Sequence, residues 1–362
     1  MAVPLFDTAT PLEPLREQID AAIAGVLDDK RFILGPNVSA FEEEFAAYCG
    51  SKHAVGVANG TDALTIALRA LGVGPGDEVI VPSFTFYASA EAIPPTGATP
   101  VFCDVDPDTM CVSAETVKAA ITPRTKAVMV VHLFGNLAPV AEIAALGLPV
   151  LEDAAQSAGT IGPDGARPGS LGTIATFSFF PSKNLGAFGD GGAITTSDDD
   201  LADRVRMLRF HGSWDKVTYE HVGYNSRLDE IQAAILRVLL PHLDDWADGR
   251  REAGRCYGTA GLGELVTLPS PGHGVQPAWH LYVIRHPRID EIATALGEAG
   301  IGHKFYYRTP VHRQPAMREL AAGVELPVTD KLAATHLAIP MSPVLGRAAA
   351  EEVVAGVRAA VG

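Results

Sequence analysis

Lys183 is placed in this 362-residue chain where its amine could form a covalent bond. It follows the apolar run 174–180 and precedes a loop with glycines at positions 186, 189, 191 and 192. The run has the composition of a β-strand, which would deliver a single amine into a loop where backbone surrounds it. Partial dehydration lowers the pKa of an amine and favours its use as a nucleophile. A single lysine is more often a solvated surface residue, so Lys183 needs support from other residues.

Asp153 is a candidate to pair with a cationic ring nitrogen. It follows the strand-like run 149–152 and precedes Ala154, Ala155 and Gln156. In an open α/β sheet, ligands bind at the carboxyl ends of the strands, where a carboxylate can hold a protonated ring. An aspartate in this place can equally cap a helix, and the residues alone leave both possibilities open.

The segment 59–62, Asn-Gly-Thr-Asp, lies where a strand-like run meets an apolar helical run. Free backbone N–H groups, a threonine hydroxyl and a glycine that permits close approach can form an anion cradle at a helix N-terminus. The helix dipole adds about 0.3–1 kcal/mol in favour of a bound anion. An ordinary N-cap is the more frequent role of such a segment when it is considered by itself.

The three features together match the requirements of pyridoxal 5′-phosphate. This cofactor needs a lysine for its Schiff base, a carboxylate for its pyridine nitrogen and a site for its phosphate. Each feature has an ordinary structural explanation, but the three explanations are much less probable jointly than singly. The residues therefore favour a pyridoxal-phosphate site.

These features must be positioned by a sheet whose strand ends lie side by side. Short runs that are β-branched or aromatic, and bounded by Gly, Pro or Asp, predict strands over 53–58, 78–81, 100–105, 126–132, 149–152, 174–180 and 192–196. Several runs are apolar at consecutive positions, which is typical of strands covered on both faces. Helical periodicity over 39–48, 63–71, 201–210 and 227–240 supplies the covering layers. We expect an α/β fold with a mostly parallel sheet between helices.

The length of the chain exceeds the roughly 250–300 residues that one core usually supports. Pro241 interrupts the last of these helical patterns, and the remainder has helical runs at 243–257, 289–299 and from 348, with a strand-like run at 279–285. We predict a large cofactor-binding domain over 1–240 and a smaller C-terminal α+β domain over 241–362.

Composition excludes several classes of partner. The chain has 28 Lys plus Arg against 43 Asp plus Glu, a formal charge of −15, and it lacks the basic stripe that nucleic-acid binding requires. Its four cysteines are scattered, without zinc-site spacing, so we expect free thiols, no metal and a cytoplasmic location. No stretch approaches the roughly 18 apolar residues of a membrane span, and we expect no membrane association.

Six motifs resemble, in identity and order, the DegT/DnrJ/StrS family of pyridoxal-phosphate sugar aminotransferases. The resemblance extends over nearly the whole chain and rests on the segments 34–36 with 41–42, 58–64, 82–86, 152–156, 182–186 and 225–230. It implies the type I aminotransferase fold and a homodimer with active sites shared between subunits. It also implies transfer of an amino group from L-glutamate to a keto-sugar on a nucleoside diphosphate, with pyridoxamine phosphate as the intermediate form of the cofactor.

The resemblance also assigns roles to individual residues. Lys183 would form the Schiff base and move the proton between the donor and the sugar carbon. Asp153 would pair with the pyridine nitrogen, and Gln156 would contact the phenolic oxygen of the ring. The phosphate would be held by Gly60, Thr61 and Ser178.

The resemblance implies further contacts at the edges of the site. Phe86 would stack on the ring, although Phe84 lies only two residues away. Asn225 would reach the phosphate from the neighbouring subunit, and Arg227 would face the sugar nucleotide. Core packing for Phe86 and a surface ion pair for Arg227 remain open alternatives.

The segment 306–312, Tyr-Tyr-Arg-Thr-Pro-Val-His, departs from the pattern of the family, which often has His-Tyr-Pro before a Pro-x-His. This loop contributes to the sugar pocket in the family, which makes Tyr307 and His312 candidate substrate-binding residues and leaves the sugar open. The segment 208–213 resembles members that act on 3-keto sugars, so we favour a 3-keto over a 4-keto substrate.

Three other functions compete with transamination. Related sugar dehydratases use pyridoxamine phosphate but have His in the place of Lys183. A cofactor-binding regulatory protein without turnover would keep the motifs, and an amino-transfer assay distinguishes it. A nicotinamide dehydrogenase would need the G-x-G-x-x-G fingerprint after its first strand, which the chain lacks.

Overall fold

Seven strands form one mostly parallel sheet in the computed structural model, which describes residues 3–362. The strands are β1 (His53–Val57), β2 (Glu78–Pro82), β3 (Thr99–Cys103), β4 (Thr125–Val131), β5 (Val150–Asp153), β6 (Ile174–Ser178) and β7 (Gly192–Thr196). Their spatial order is β1-β7-β6-β5-β4-β2-β3, and β7 runs antiparallel to both of its neighbours. The five strands from β6 to β3 are parallel, so their carboxyl ends meet at one edge.

Helices cover both faces of this sheet, as the apolar strands predict. The helices are α1 (Arg16–Asp29), α2 (Pro36–Cys49), α3 (Gly60–Ala70), α4 (Tyr87–Glu91), α5 (Ala114–Ala120), α6 (Val140–Ala144), α7 (Asp199–Leu208), α8 (Glu230–Leu239), α9 (Leu243–Thr259), α10 (Ile289–Glu298), α11 (Pro327–Thr335) and α12 (Arg347–Val361). Alternate residues of β1 show the two layers, since Val55 packs with α3 and α7, whereas Ala54 packs with α1, α2 and α8. The predicted fold class is confirmed.

The predicted helix over 227–240 begins later than its periodicity suggests. Residues 225–228 are not helical, and Asp229 caps α8 by accepting a hydrogen bond from the N–H of Gln232 at 2.8 Å. At the other end, Pro241 does not separate two distant helices. It lies in a single 3₁₀ turn, Leu240–His242, through which α8 passes directly into α9. A proline is tolerated in a first turn because its missing N–H has no partner there.

The C-terminal part carries a second, smaller sheet. Strand β8 (Tyr282–Arg285) pairs antiparallel with β9 (His336–Ile339), and α9, α10 and α12 share its apolar core. The strand-like run 279–285 is therefore a strand only from Tyr282 onward. In residues 3–362, none of the helices combines the length and the apolar character needed to cross a membrane.

Candidate active site

A cavity of about 600 Å³ opens where the parallel strands end. Its walls come from the segments after β1, β2, β5 and β6, because parallel strands lead the chain out at the same edge of a sheet. Eight of the eleven candidate residues line it, namely Gly60, Thr61, Phe86, Asp153, Gln156, Ser178, Lys183 and Tyr307. The remaining candidates, Asn225, Arg227 and His312, lie elsewhere.

The N-terminus of α3 forms one end of the cavity. Asn59 is the N-cap, and its side-chain oxygen accepts the N–H of Asp62 at 2.8 Å. The cap therefore leaves the backbone N–H groups of Gly60 and Thr61 available to a ligand, because these groups have no partner within the helix. A Cβ at Gly60 would lie 2.8 Å from the Cβ of Ser178, so only glycine permits this close approach. The N-cap and the anion cradle are thus compatible uses of one segment.

Asp153 is 5% exposed at the end of β5. Its Oδ2 accepts a hydrogen bond from Ser89 Oγ at 2.7 Å, and its Oδ1 accepts one from the N–H of Ala155 at 3.2 Å. Burial raises the pKa of Asp153, while these two hydrogen bonds and the charge of Lys183 act in the opposite direction. No helix begins here, since the described residues 154–173 form turns and irregular chain. The helix-cap alternative for Asp153 is therefore excluded.

Lys183 enters the cavity from a tight turn after β6. Its N–H bonds the carbonyl oxygen of Phe180 at 2.8 Å, and a Cβ at Gly186 would lie 2.6 Å from the carbonyl oxygen of Pro181. The turn thus requires glycine at position 186. Burial lowers the pKa of the Lys183 amine to about 8, and the negative charge of Asp153 opposes this shift. The neutral form, which a nucleophile requires, is therefore far more populated near physiological pH than in a solvated lysine.

His280 lines the cavity and was not among the sequence candidates. The side-chain N–H₂ of Asn184 donates to the carbonyl oxygens of Ala158 at 3.3 Å and Ala278 at 3.0 Å, which leaves its oxygen facing His280 Nδ1 at 3.3 Å. Nδ1 must then carry the proton, and Nε2 is left as an acceptor. Burial, Lys183 and Arg250 hold the pKa of His280 well below its usual range. His280 is a single histidine in a strand-like run, and no sequence pattern predicts that it lines the cavity.

Aromatic side chains shape the opposite wall. Phe86 is 53% exposed and lines the cavity, whereas Phe84 is fully buried in the core. The rings of Phe86 and Tyr307 lie 5.8 Å apart. Gln156 donates from Nε2 to the hydroxyl of Tyr307 at 3.1 Å and accepts the N–H of Phe134 at 2.7 Å.

Asn225 and Arg227 lie on the surface outside this cavity. Asn225 is exposed, and its side-chain oxygen accepts a hydrogen bond from the guanidinium of Arg227. The same guanidinium lies 5.8 Å from the centre of the Phe210 ring. Within residues 3–362, the two side chains thus contact each other and Phe210 rather than the cavity.

His312 does not face the cavity either, contrary to the expectation for a sugar-pocket residue. Its Nδ1 lies 2.6 Å from Ser83 Oγ, and its Nε2 lies 3.8 Å from Asp330 Oδ1. The turn Val311–Arg313 packs against the end of β2, which buries the imidazole. The sequence of the segment 306–312 carries no signal that distinguishes Tyr307, which lines the cavity, from His312, which packs in the core.

Comparisons with known proteins agree over nearly the full chain. The model of the DegT/DnrJ/EryC1/StrS aminotransferase family matches residues 14–358. The dTDP-3-amino-3,4,6-trideoxy-alpha-D-glucose transaminase of Streptomyces venezuelae is 47% identical over 98% of this chain and 95% of its own length. A pleiotropic regulatory protein of Geobacillus stearothermophilus is 46% identical over 95% of both chains. The crystal structure of S. venezuelae DesV in complex with a ketimine intermediate superposes with a TM-score of 0.95, at 46% identity and over 99% and 98% of the two chains.

Proposed function

Because the chain belongs to the DegT/DnrJ/EryC1/StrS aminotransferase family, we propose that it transfers an amino group from L-glutamate to a nucleoside-diphosphate 3-keto-sugar. It is an aminotransferase that depends on pyridoxal phosphate. The observation that carries the proposal is the convergence of Lys183, Asp153 and the α3 N-terminus on one cavity. A dehydratase of this family has His in the place of Lys183, so the lysine favours transamination.

The residues present fit pyridoxal phosphate. The cavity contains an amine that can lose its proton near neutral pH, a buried carboxylate, and a helix N-terminus where glycine allows a ligand to approach closely. When bound, the cofactor supplies a ring that accepts the electrons of the bond being broken, provided that its pyridine nitrogen stays protonated. We assign Asp153 to that nitrogen, and Gly60, Thr61 and Ser178 to the phosphate. Lys183 is the residue that we assign to the Schiff base.

Lys183 would also move the proton in the reaction. An amine with a pKa of about 8 can both accept and donate a proton near neutral pH, which is the condition for efficient general acid–base catalysis. His280, whose Nε2 is an acceptor, lines the same cavity. Phe86 would pack on the ring face, and Gln156, held by Phe134 and Tyr307, would contact the phenolic oxygen.

The proposed enzyme is a homodimer in which each subunit completes the site of the other. Asn225 and Arg227 lie outside the cavity of their own chain, and the aromatic side chains of Phe32 and Phe188 are exposed and could pack against a second copy. We retain residue 240 as the end of the large domain. The four cysteines are free thiols, in keeping with the cytoplasmic location that we propose.

The substrate proposal follows the S. venezuelae relative, whose product name places the amino group at C3. The test incubates the purified protein, pyridoxal phosphate and L-glutamate with a panel of dTDP- and UDP-linked 3-keto and 4-keto sugars. We expect the mass of an amino sugar from 3-keto substrates, and no product from a Lys183→Ala control. Product from 4-keto sugars alone would contradict the C3 assignment. Cofactor binding without any turnover would favour a regulatory role, the function named for the G. stearothermophilus relative.

A further inference from the structure

Two buried hydroxyls are linked by hydrogen bonds to the carboxylate of Asp153. Ser89, in α4, places its Oγ 2.7 Å from Asp153 Oδ2. Thr85 Oγ1 in turn lies 3.0 Å from Ser89 Oγ. Both hydroxyl-bearing residues are 1% exposed, so water does not compete for these hydrogen bonds. The three side chains form a short relay that ends on the carboxylate.

The number of hydroxyl protons determines which group donates and which accepts in each hydrogen bond of the relay. An ionised carboxylate only accepts hydrogen bonds, so Ser89 must use its single hydroxyl proton toward Asp153. Thr85 must then donate to Ser89, because Ser89 has no second proton to give. Each oxygen of the Asp153 carboxylate therefore accepts one hydrogen bond from the chain and retains a lone pair, and the residue lines the cavity.

The surroundings leave Ser89 as the side chain that stabilises the ionised form by a direct hydrogen bond. The titratable groups near Asp153 are Lys183, His132 and Tyr307. His132 makes its hydrogen bonds to other groups, since its Nδ1 accepts the N–H of Ala138 at 3.1 Å and its Nε2 lies 2.9 Å from Glu152 Oε2. The pKa of Tyr307 is raised, chiefly by burial, so this side chain stays neutral.

We propose that Ser89, oriented by Thr85, is a positioning residue that keeps Asp153 ionised and holds its carboxylate in place for the ring nitrogen of the cofactor. The inference rests on the proposed role of Asp153. It deepens that role, because it attributes the negative charge of the Asp153 carboxylate to hydrogen bonds that Ser89 and Thr85 of the same chain provide. The same short segment after β2 carries Phe86, so residues 85–89 support both the ring face and the ring nitrogen.

The first experiment measures the carboxyl group without the cofactor. Infrared titration of the apo protein detects the protonated carboxyl band of Asp153, which the Asp153→Asn variant identifies by its loss. Ser89→Ala removes the hydrogen bond, and we expect the midpoint of this titration to rise by about one pH unit. Thr85→Val, which leaves Ser89 without its donor, should raise the midpoint by less. An unchanged midpoint in Ser89→Ala overturns the inference.

The second experiment uses the loaded enzyme. Ser89→Ala should lower kcat about tenfold with a much smaller change in KM for glutamate, and move the acidic limb of the pH profile upward. Ser89→Thr keeps a hydroxyl and should recover most of the loss. Ser157→Ala is the matched control, because this buried serine bonds only a backbone carbonyl, at 3.4 Å from Ala154 O. Equal losses in Ser89→Ala and Ser157→Ala would show that any buried serine has the same effect and would overturn the inference.

A borohydride trap separates this inference from the proposed function. Reduction should attach the cofactor irreversibly to Lys183 in the wild-type protein and in Ser89→Ala alike. Failure to trap it in the wild type contradicts the cofactor assignment itself. Trapping in both proteins, with identical pH profiles, leaves the proposed function intact and contradicts only the role of Ser89.

Discussion

The inner wall of the cavity and its outer surroundings are built in different ways. At the inner wall, Asp153 and Lys183 follow the ends of adjacent parallel strands, and each is fixed by hydrogen bonds of its own chain. In the outer region, Asn225 and Arg227 lie on an irregular segment before α8 and contact mainly each other. Exposed aromatic rings such as Phe188 lie on the surface as well.

This contrast separates two functions of one site. Adjacent strands bring the groups for cofactor chemistry together within a single chain, so that end of the site needs no partner. Asn225 and Arg227 lie outside the candidate active-site cavity of their own chain, and the proposed homodimer would bring them to the site of a second copy. Substitutions at the inner wall should therefore act on the chemistry of their own subunit, whereas substitutions in the outer region should act on the neighbouring subunit.

Lys183→Ala should have the largest effect, because it removes both the Schiff-base residue and the proton carrier. We expect kcat to fall by about 10³-fold or more, with the fold retained. Steady-state assays and circular dichroism measure the two quantities. Turnover near the wild-type rate would contradict the assignment of the inner wall.

Asp153→Asn should come next, with a loss of about 10²–10³-fold in kcat. The amide keeps the shape of the side chain but carries no charge to hold a protonated ring nitrogen. The absorbance of the bound cofactor against pH should change together with the rate. Wild-type rates with a wild-type spectrum would mean that Asp153 does not face the ring nitrogen.

Arg227→Glu tests the outer region in trans. Alone, it should lower kcat/KM for the sugar nucleotide by about 10²-fold, since it reverses a charge that faces a diphosphate. Mixed dimers with Lys183→Ala, co-expressed and purified through a second affinity tag, should recover about half of wild-type activity, because each mixed dimer holds one intact site of two. Absence of any recovery would place Arg227 in the site of its own chain.

The protonation of the Lys183 amine should give a pH-dependent effect on its labelling, which is smaller than the effects of the substitutions above. In the apo protein, labelling of Lys183 by an amine-selective reagent should reach half of its maximum near pH 8, because burial lowers its pKa to that value. Surface lysines should titrate near 10.4. Asp153→Asn should move the Lys183 midpoint lower still, because the carboxylate raises this pKa. Mass spectrometry of the labelled peptides measures the midpoints, and a Lys183 value equal to that of the surface lysines contradicts the burial argument.

His312→Gln should have the smallest catalytic effect. The imidazole bonds Ser83 inside the core, so its loss should destabilise the fold by about 1–2 kcal/mol and lower Tm by several degrees. kcat/KM for the sugar nucleotide should stay within about twofold of wild type. A large increase in KM at unchanged Tm would instead restore His312 to the sugar pocket.

Much of this organisation was accessible from sequence. The family, the α/β fold and the aminotransferase function predicted from the motifs are confirmed. The seven strands predicted for the large sheet match the observed ones within about two residues, because apolar β-branched runs bounded by Gly, Pro or Asp are a local signal. Helix α1 was also within reach, since Ile19, Ile23 and Val26 recur at helical spacing. The site roles and the domain boundary stay predictions.

Other features had no local signal. Strand β9 has four residues directly after α11, and its pairing with β8 joins segments about 50 positions apart. His280 enters the cavity because Asn184, nearly 100 positions earlier, holds its ring. Conversely, the resemblance placed His312 in the sugar pocket, although the turn around it packs against β2. Each of these outcomes depends on which distant segments meet, and local sequence patterns carry no signal for that.

The sequence by itself determined the chemical inventory of the site: a lysine after one strand, an aspartate after another and a glycine at a helix N-terminus. These depend on residue type and local spacing, which the chain carries directly. Only the tertiary structure decided which neighbours those groups have, and therefore their charge. Ser89, which bonds Asp153, and His280, which lines the same cavity as Lys183, come from other segments. Hydrogen bonds and burial depend on distance in space rather than along the chain.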